Sequence, residues 1–295
     1  MTETETSLEA EASGQTEEVI PETTLKESFA PDSKVERTEL LDVASQWKVV
    51  SDSVTGESHL RVGTVCQDSH HFARFRDDIL IGAVADGAGS ASKSEIGSHL
   101  AVITAVETLE RFFERNHLPD EEGDWRTLLL STLRAAQQAV IEEAEKREAP
   151  VRELASTLIL FVASKSFVAA TQIGDGSLVL LDSEENLTAL TTPQSGEYLN
   201  ETVFLVSPKA IEGAQFVFWV GNVRSLAAFS DGLQLLALKL SDSSPHPPFF
   251  APLFRFLHEA QGMAEAHEQL RSFLTSPKIT QRADDDLTLL LAGIS

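Results

Sequence analysis

The stretch from Ile79 to Gly97 constrains the fold more than any other part of this sequence. It opens with an apolar run, Ile79 to Ala85, that has the length of a buried strand. The run ends at Asp86 in a turn of small residues, and a helix is predicted to begin at Ser94 or Glu95. This order delivers a carboxylate to the end of a buried strand, beside a turn where small residues allow close approach.

An Asp-Gly pair by itself has an ordinary explanation, because Asp bonds its own backbone and Gly tolerates positive φ in a turn. Several other carboxylates, however, share this position beside an apolar run and a turn. In chain order the set is Asp68, Asp86, Asp175, Asp231 and the run Asp284 to Asp286. If they converge on one edge of a sheet core, they repel each other unless a cation lies between them. The set therefore predicts an Mg²⁺ or Mn²⁺ site, and separate turn and cap residues are the alternative.

Composition limits the partners that this chain can have. Its 295 residues, 42% of them hydrophobic, suffice for one large domain or two small ones. The net charge of −23 and the lack of a basic run argue against nucleic-acid binding, and an acidic surface repels anionic membranes. Positive charge for a phosphate ligand would have to come from bound cations or from single residues.

Cysteine content and hydropathy indicate the compartment. Because Cys66 is the sole cysteine, neither an intramolecular disulfide nor a Cys/His zinc site can form. The N-terminus lacks a signal pattern, and the most apolar segments are interrupted by Lys165 and Arg224. We therefore expect a cytoplasmic protein without a membrane span.

The chain divides into a tail and a domain. Residues 1–40 are rich in Glu, Thr and Ser without sustained periodicity, which predicts a disordered acidic tail that is either a solubilising linker or a regulatory, partner-binding segment. Residues 41–295 form the predicted domain, in which two long neighbouring helices begin near Ser94 and Trp125. Strands are expected in the segments 47–54, 58–65, 79–85, 155–163, 166–173, 177–182, 203–206, 215–220, 225–230 and 287–292.

Three further predictions concern a strand meander, a loop and two helices. The runs between 155 and 182 are predicted to form an antiparallel meander, His70 and His71 are placed in a loop, and helices are expected over 252–258 and 263–273.

Six short motifs then occur in the order in which they occur in a known family. The chain resembles the metal-dependent protein phosphatases of type 2C, in their bacterial-type branch, from about residue 47 to residue 295. The motifs are Gly56-x-Ser58-His59 with Cys66-Gln67-Asp68, Ala85-Asp86-Gly87-Ala88-Gly89-Ser90, Ala155-Ser156-Thr157-Leu158, Gly174-Asp175-Gly176-Ser177, Ser230-Asp231-Gly232 and Asp285-Asp286-Leu287-Thr288.

The resemblance implies a fold and a metal site. The fold is α+β, a four-layer α-β-β-α sandwich of two central antiparallel sheets and flanking helix pairs. The implied cofactors are two Mn²⁺ or Mg²⁺ ions, with a third in some members. Asp86 is expected to bridge two ions and the Gly87 carbonyl to bind one of them, while Asp231 and Asp285 ligate the other. Asp68 is expected to act through a metal-bound water, and Asp175 to help hold the third ion.

The resemblance also implies an activity. A hydroxide that bridges the ions attacks phosphorus in line, which makes the chain a serine/threonine phosphoprotein phosphatase in which Asp68 and Asp86 activate the water. A phosphorylated protein is the implied substrate, and the oligomeric state is left open. The alternative is a catalytically weak phosphatase-like domain that binds a phosphoprotein or a partner.

Three positions depart from the family pattern. Gly63 stands where eukaryotic members have a phosphate-holding Arg, so His59 or Arg61 is a candidate substitute. Gln67 replaces a common Glu, and Ala88 replaces a common His. The proton donor for the leaving group therefore has to come from another residue or from a metal-bound water.

The predicted tail leads to a first test. We expect removal of residues 1–40 to leave the melting temperature of the domain almost unchanged, because a segment with few large apolar residues buries little surface. Differential scanning calorimetry of the full chain and the truncated chain measures this directly, and a drop of many degrees would show that the tail is docked.

Overall fold

Ten strands form two antiparallel sheets in the computed structural model, which describes residues 47–76, 78–194 and 202–294. The predicted tail lies outside the described residues. The strands are β1 (Trp47–Val54), β2 (Ser69–Phe75), β3 (Ile79–Ala85), β4 (Leu158–Ala163), β5 (Phe167–Ile173), β6 (Ser177–Asp182), β7 (Leu187–Ala189), β8 (Gln215–Val220), β9 (Val223–Phe229) and β10 (Leu287–Ile294). The front sheet has the order β2-β3-β4-β5-β8, and the back sheet has the order β1-β10-β9-β6-β7.

Helices cover the outer face of each sheet. They are α1 (Glu57–Val62), α2 (Ser94–Arg115), α3 (Glu122–Lys146), α4 (Gln234–Ala237), α5 (Pro247–Glu259), α6 (Met263–Leu274) and α7 (Pro277–Thr280), with 3₁₀ turns at Val151–Leu154 and Asp231–Leu233. The long helices α2 and α3 pack on the front sheet, and α5 and α6 pack on the back sheet. The predicted four-layer α-β-β-α sandwich is confirmed. No helix in the described ranges is both long enough and apolar enough to cross a membrane.

Strand β3 shows why the sandwich needs fully apolar strands. Successive side chains of a strand point to opposite faces, and in β3 both faces are covered. Ile79 and Ile81 join the core under α2 and α3, whereas Leu80 and Val84 join the core between the sheets. All seven residues of the strand are buried. Burial of each large side chain contributes about 1.5–3 kcal/mol, so β3 is a main source of stability.

The segment 58–65 was predicted as a strand, and this prediction is wrong. Residues Glu57–Val62 form α1, which contains no buried residue. The helix is fixed at its start, where the Ser58 N–H donates to the Asp284 carbonyl at 2.8 Å. It ends at Gly63, whose φ of 74° is left-handed. The strand-type residues of this segment therefore lie in an exposed helix and not in a sheet.

The meander prediction holds for β4 and β5 but fails at β6, which pairs with β9 in the back sheet. The turn Gly174-Asp175-Gly176 carries the chain from one sheet to the other. Gly174 has a φ of 104°, and a Cβ on Gly176 would lie 2.7 Å from the Phe229 carbonyl oxygen. This turn is thus a crossing between sheets and not a hairpin.

Two smaller predictions also fail. Residues 203–206 form no strand, although the Leu205 N–H donates to the Ser156 carbonyl at 2.7 Å. His70 and His71 lie in β2 and not in a loop. His70 Nδ1 is 2.8 Å from the Ser53 hydroxyl of the back sheet, so a polar contact between the sheets holds it there.

The first turn of α2 packs closely on Leu154, and this close packing requires glycine at position 97. A Cβ on Gly97 would lie 1.9 Å from the Leu154 carbonyl oxygen, a backbone atom that cannot move aside freely. We expect Gly97→Ala to lower the free energy of unfolding by about 1–3 kcal/mol in urea denaturation, the usual cost of overpacking.

Gly123 provides the matched control, because it also lies in a helix but a Cβ added there would have no neighbouring atom within 4 Å. Gly123→Ala should keep or slightly raise the stability, since Ala is the better helix former. Equal effects of the two substitutions would show that the contact at Leu154 does not matter.

Candidate active site

The carboxylates singled out in the sequence lie at one end of the sandwich. Asp68 precedes β2, Asp86 follows β3, Asp175 lies between β5 and β6, Asp231 follows β9, and the run 284–286 precedes β10. Strand register brings these ends together. Ser69 pairs with Ala85, Ser177 with Phe229, and Val54 with Leu287. The hydrogen bonds of the two sheets therefore place residues that are far apart in sequence at a common edge.

Three of the carboxylates meet directly. Asp86, Asp175 and Asp231 each offer an oxygen within 4.8 Å of the others. The turn at Asp86 is fixed by Thr157, whose hydroxyl accepts from the Asp86 N–H at 2.9 Å and whose own N–H donates to the Asp86 carbonyl at 2.8 Å. These bonds hold the Asp86 backbone at the end of β4, so the position of its side chain depends on both strands.

Asp175 is held by two residues from other parts of the chain. The Thr202 hydroxyl donates to Asp175 Oδ2 at 2.7 Å, and the Gln234 side-chain amide donates to the Asp175 carbonyl oxygen. Sequence reasoning missed both residues. Thr202 lies in a polar segment without periodicity, so no pattern distinguishes it, whereas Gln234 stands three residues after Asp231 and shares its turn.

Asp68 lies beside this group and is held by hydroxyl groups. The Ser230 hydroxyl donates to Asp68 Oδ2 at 2.6 Å and accepts from the Thr288 N–H at 3.0 Å. The Thr288 hydroxyl in turn lies 2.6 Å from the Ser53 hydroxyl. Ser230 thus connects the carboxylate of Asp68 to β10, a role that its place in the Ser230-Asp231-Gly232 motif signals only indirectly.

In the acidic run before β10, Asp286 and Asp285 have different contacts. The buried carboxylate of Asp286 accepts from the Gly56 N–H at 2.8 Å and from the Gln67 N–H at 2.6 Å. Asp285 has a side chain that is 56% exposed and lies outside the group of three. After burial, its charge is one of the causes that raise the pKa of Asp175 and of Asp231, and we call its exposed position the entrance of the site.

His59 projects from α1 toward this run. Its Nδ1 lies 2.9 Å from Asp286 Oδ1 without the alignment of a hydrogen bond, and its Nε2 lies 4.0 Å from Asp285 Oδ1. The exposed Arg61 lies 3.8 Å from Asp284. His59 is therefore the imidazole nearest to the entrance carboxylate.

Burial and mutual repulsion act on the whole group. Burial, followed by the neighbouring carboxylates, raises the pKa of Asp68 to about 7. Burial is also the main cause that raises the pKa of Asp231 to about 6 and the pKa of Asp86 well above its ordinary value. After burial, the charges of Asp68 and Asp231 also raise the pKa of Asp86, because carboxylates of like charge disfavour each other's ionised form.

The donor set fits divalent cations. Three carboxylate oxygens are buried without a hydrogen-bond partner, namely Oδ1 of Asp68, Asp175 and Asp231. Within the described ranges, no Lys or Arg forms an ion pair with these residues or with Asp86. Oxygen ligands of this kind are what Mg²⁺ and Mn²⁺ prefer, and buried charges of one sign need a compensating ion.

Comparison with known proteins agrees with this geometry. A model of the family described as protein phosphatase 2C matches residues 55–275. Serine/threonine-protein phosphatase 3 of Escherichia coli (strain K12) is 36% identical over 252 residues, which are 83% of this chain and 98% of that protein. The chain belongs to the protein phosphatase 2C family. Membership confirms the phosphoprotein phosphatase function predicted from the motifs, and a purely binding domain is not favoured.

Solved structures show the same fold at low sequence identity. Serine/threonine phosphatase Stp1 from Staphylococcus aureus has a TM-score of 0.56 and 14% identity, with 84% of this chain and 95% of that chain covered. The S. agalactiae serine/threonine phosphatase has a TM-score of 0.58 and 12% identity, with 84% and 100% covered. The sandwich is therefore the fold of this phosphatase family.

The departures from the family pattern have structural explanations in this 2C-type phosphatase. Gly63 ends α1 in the left-handed region, where an Arg would be strained. Ala88 is buried with Ala91 and Ala155, and its N–H donates to the Ala155 carbonyl at 2.9 Å. Gln67 contacts the Ala91 carbonyl at 3.3 Å through its side-chain amide. Gly63, Ala88 and Gln67 thus support the backbone around the site, and they donate no proton to it.

Electrostatic repulsion in the metal-free site leads to a test of stability. A folded-state pKa above the unfolded value means that Asp86 stabilises the fold at low pH and that this contribution is lost as the pH rises above about 4. We expect Asp86→Asn to melt at a higher temperature than the wild type in EDTA, by a margin that grows from pH 4.5 to pH 7.5.

The control for this test is Asp182→Asn. The pKa of Asp182 is lowered by hydrogen bonds from Asn186, so its contribution is present at neutral pH and is lost on acidification. Its variant should show a difference of opposite sign. A margin for Asp86→Asn that does not change with pH would contradict the proposed repulsion.

Proposed function

We propose that this chain hydrolyses phosphoserine and phosphothreonine in proteins with the help of two Mn²⁺ or Mg²⁺ ions. The single observation that supports this most is the group of half-buried carboxylates, Asp86, Asp175 and Asp231, which meet at turn ends and form no ion pair with a Lys or Arg of the described ranges. The name of the E. coli relative supports the choice of serine and threonine.

Each carboxylate has a proposed place around the ions. Asp86 and Asp231 would hold them at the centre, with the Gly87 carbonyl as an additional oxygen ligand and Asp285 at the entrance. Asp175 lies within the same group of oxygens and would hold a third ion or one of the first two. A side chain on Gly87 would lie 2.6 Å from the Gln67 carbonyl oxygen, so this position needs glycine for close packing.

Bound divalent cations supply positive charge for the phosphate and make water nucleophilic near neutral pH. The task of the protein is then mostly to position groups and exclude water, because phosphoryl transfer needs little covalent chemistry from the enzyme. Asp68 Oδ1 is buried without a partner, while Ser230 holds Oδ2 at 2.6 Å. This free oxygen would accept a hydrogen bond from the attacking water and orient it.

Neither side chain that offers a nucleophile near the site is available. Burial raises the pKa of the Cys66 thiol, which keeps it in the unreactive protonated form. The Ser230 hydroxyl is committed to Asp68. Attack by water is therefore the route that these residues support, without a covalent intermediate on the protein.

The leaving alkoxide needs a proton, and His59 is our proposed donor. Ala88 has no donor group, whereas His59 Nε2 lies 4.0 Å from Asp285 at the entrance. Imidazole is the side chain that most often serves as a general acid, and His59 is the one that lies at the entrance. Arg61 would remain a surface residue, since its side chain is 68% exposed.

Hydrolysis of p-nitrophenyl phosphate and of a phosphothreonine peptide with Mn²⁺ tests the proposal. We expect EDTA to abolish turnover, and Asp231→Asn to lower kcat by at least about 100-fold, because loss of an electrostatic partner in a closed site costs that much. Asp242→Asn is the control, since its carboxylate is exposed and lies in a loop outside the site.

Circular dichroism should show that both variants are folded. Absence of turnover under every divalent cation, with the metal-free and metal-loaded protein folded, would overturn the proposal and favour a binding role for the same site.

A further inference from the structure

Large apolar side chains are unusually exposed around the proposed site. Within the described ranges, six are strongly exposed, and the set consists of Leu60, Val62, Val65, Val220, Leu235 and Leu240. Three of them fall within six consecutive residues of α1 and the segment after it. Leu235 lies four residues after Asp231, in the turn whose Gln234 holds Asp175. Four of the six therefore border the carboxylates.

Helix α1 is fixed beside the site although it buries none of its residues. The Gly56 N–H donates to Asp286 Oδ1 and the Ser58 N–H donates to the Asp284 carbonyl, both at 2.8 Å. A Cβ on Gly56 would lie 2.2 Å from the Asp285 backbone, so the chain is in close contact there. These contacts hold α1 in place, and its exposed side chains therefore form a surface of fixed position.

The orientation of α1 directs this surface toward the entrance. His59 faces the acidic run, with its Nδ1 2.9 Å from Asp286. Residues three apart share a helix face, so Val62 continues the face that His59 begins. The side chain of Val62 is 73% exposed, and Val65 follows three residues before Asp68. This face is therefore within reach of a polypeptide whose phosphate lies at the carboxylates.

The occupant follows from the position and the chemistry of the surface. Any phosphoprotein substrate has chain on both sides of its phosphorylated residue, and that chain crosses the rim of the site. Apolar rim residues gain free energy from apolar partners, while the surrounding acidic chain, with a net charge of −23, repels acidic ones. A rim that includes Val62, Val65 and Leu235 thus fits a substrate with apolar flanking residues.

We propose that α1 and Val65, together with Leu235 of α4, form a docking surface for apolar residues that flank the phosphorylated serine or threonine of the substrate. This inference rests on the proposed phosphatase function and adds a substrate class to it. The surface selects by sequence near the phosphate, so small phosphate esters do not use it.

Matched phosphopeptides test the inference. One peptide carries Leu or Val on both sides of phosphothreonine, the second carries Ser at those positions, and the third carries Glu. With Mn²⁺, we expect kcat/KM for the apolar peptide to exceed that for the Ser peptide by about tenfold, because an apolar flanking side chain is partly removed from water on this surface. The Glu peptide should be the poorest substrate.

Variants then locate the preference. Val62→Ser should reduce the apolar-to-Ser ratio of kcat/KM toward one, and Val62→Leu should restore it. Val220→Ser is the matched control, because Val220 is 70% exposed but pairs with Phe167 at the far end of β5 from Asp175. This control should keep the full ratio, since its surface does not border the site.

The outcomes separate the two proposals. If the wild type hydrolyses p-nitrophenyl phosphate but treats all three peptides alike, the docking surface is overturned and the phosphatase function stands. If Val220→Ser lowers the ratio as much as Val62→Ser, the preference does not come from α1 and the inference is again overturned. A failure to hydrolyse any phosphate ester overturns both proposals.

Discussion

Mutual repulsion of buried carboxylates is the constraint on which this structure depends. Asp86, Asp175 and Asp231 are half-buried and offer oxygens within 4.8 Å of each other, and Asp68 adds a fully buried carboxylate. Two unit charges about 4 Å apart interact by about 4 kcal/mol at a typical effective dielectric constant, so the fold must bind cations or protons at this place. The sandwich around the site provides the rigidity that keeps these groups together despite the repulsion.

Asp286 shows how that rigidity is achieved. Its carboxylate accepts from Gly56 at the start of α1 and from Gln67 just before Asp68, while its own chain continues into β10. One buried acceptor therefore ties three segments that are far apart in sequence. Asp285, its neighbour, has a largely exposed side chain and is free to face an ion. The adjacent residues thus differ in role, since Asp286 holds the backbone and Asp285 is our proposed ligand.

Much of this could be predicted from the sequence, because the decisive signals are local. The apolar strand before Asp86 and the helix after it were predicted from hydrophobic pattern and turn chemistry. The α1 segment was not, because its exposed Leu60 and Val62 have strand-type chemistry while the contacts that fix the helix come from the distant run 284–286. The change of sheet after Gly174 also depends on long-range pairing, which no local pattern contains.

The failed strand prediction and the absent arginine concern the same segment, and together they bear on recognition. Where the family pattern has a phosphate-holding Arg, this chain has Gly63 at the end of a helix whose residues are all at least partly exposed. Such a helix contributes nothing to the core, so its apolar residues do not help to fold the protein. Their exposure carries a cost in water, and a surface of this kind is expected where a partner covers it. We infer that this chain presents an apolar rim at the position where the resemblance places the phosphate-holding Arg of eukaryotic members, so that recognition relies more on the residues beside the phosphate.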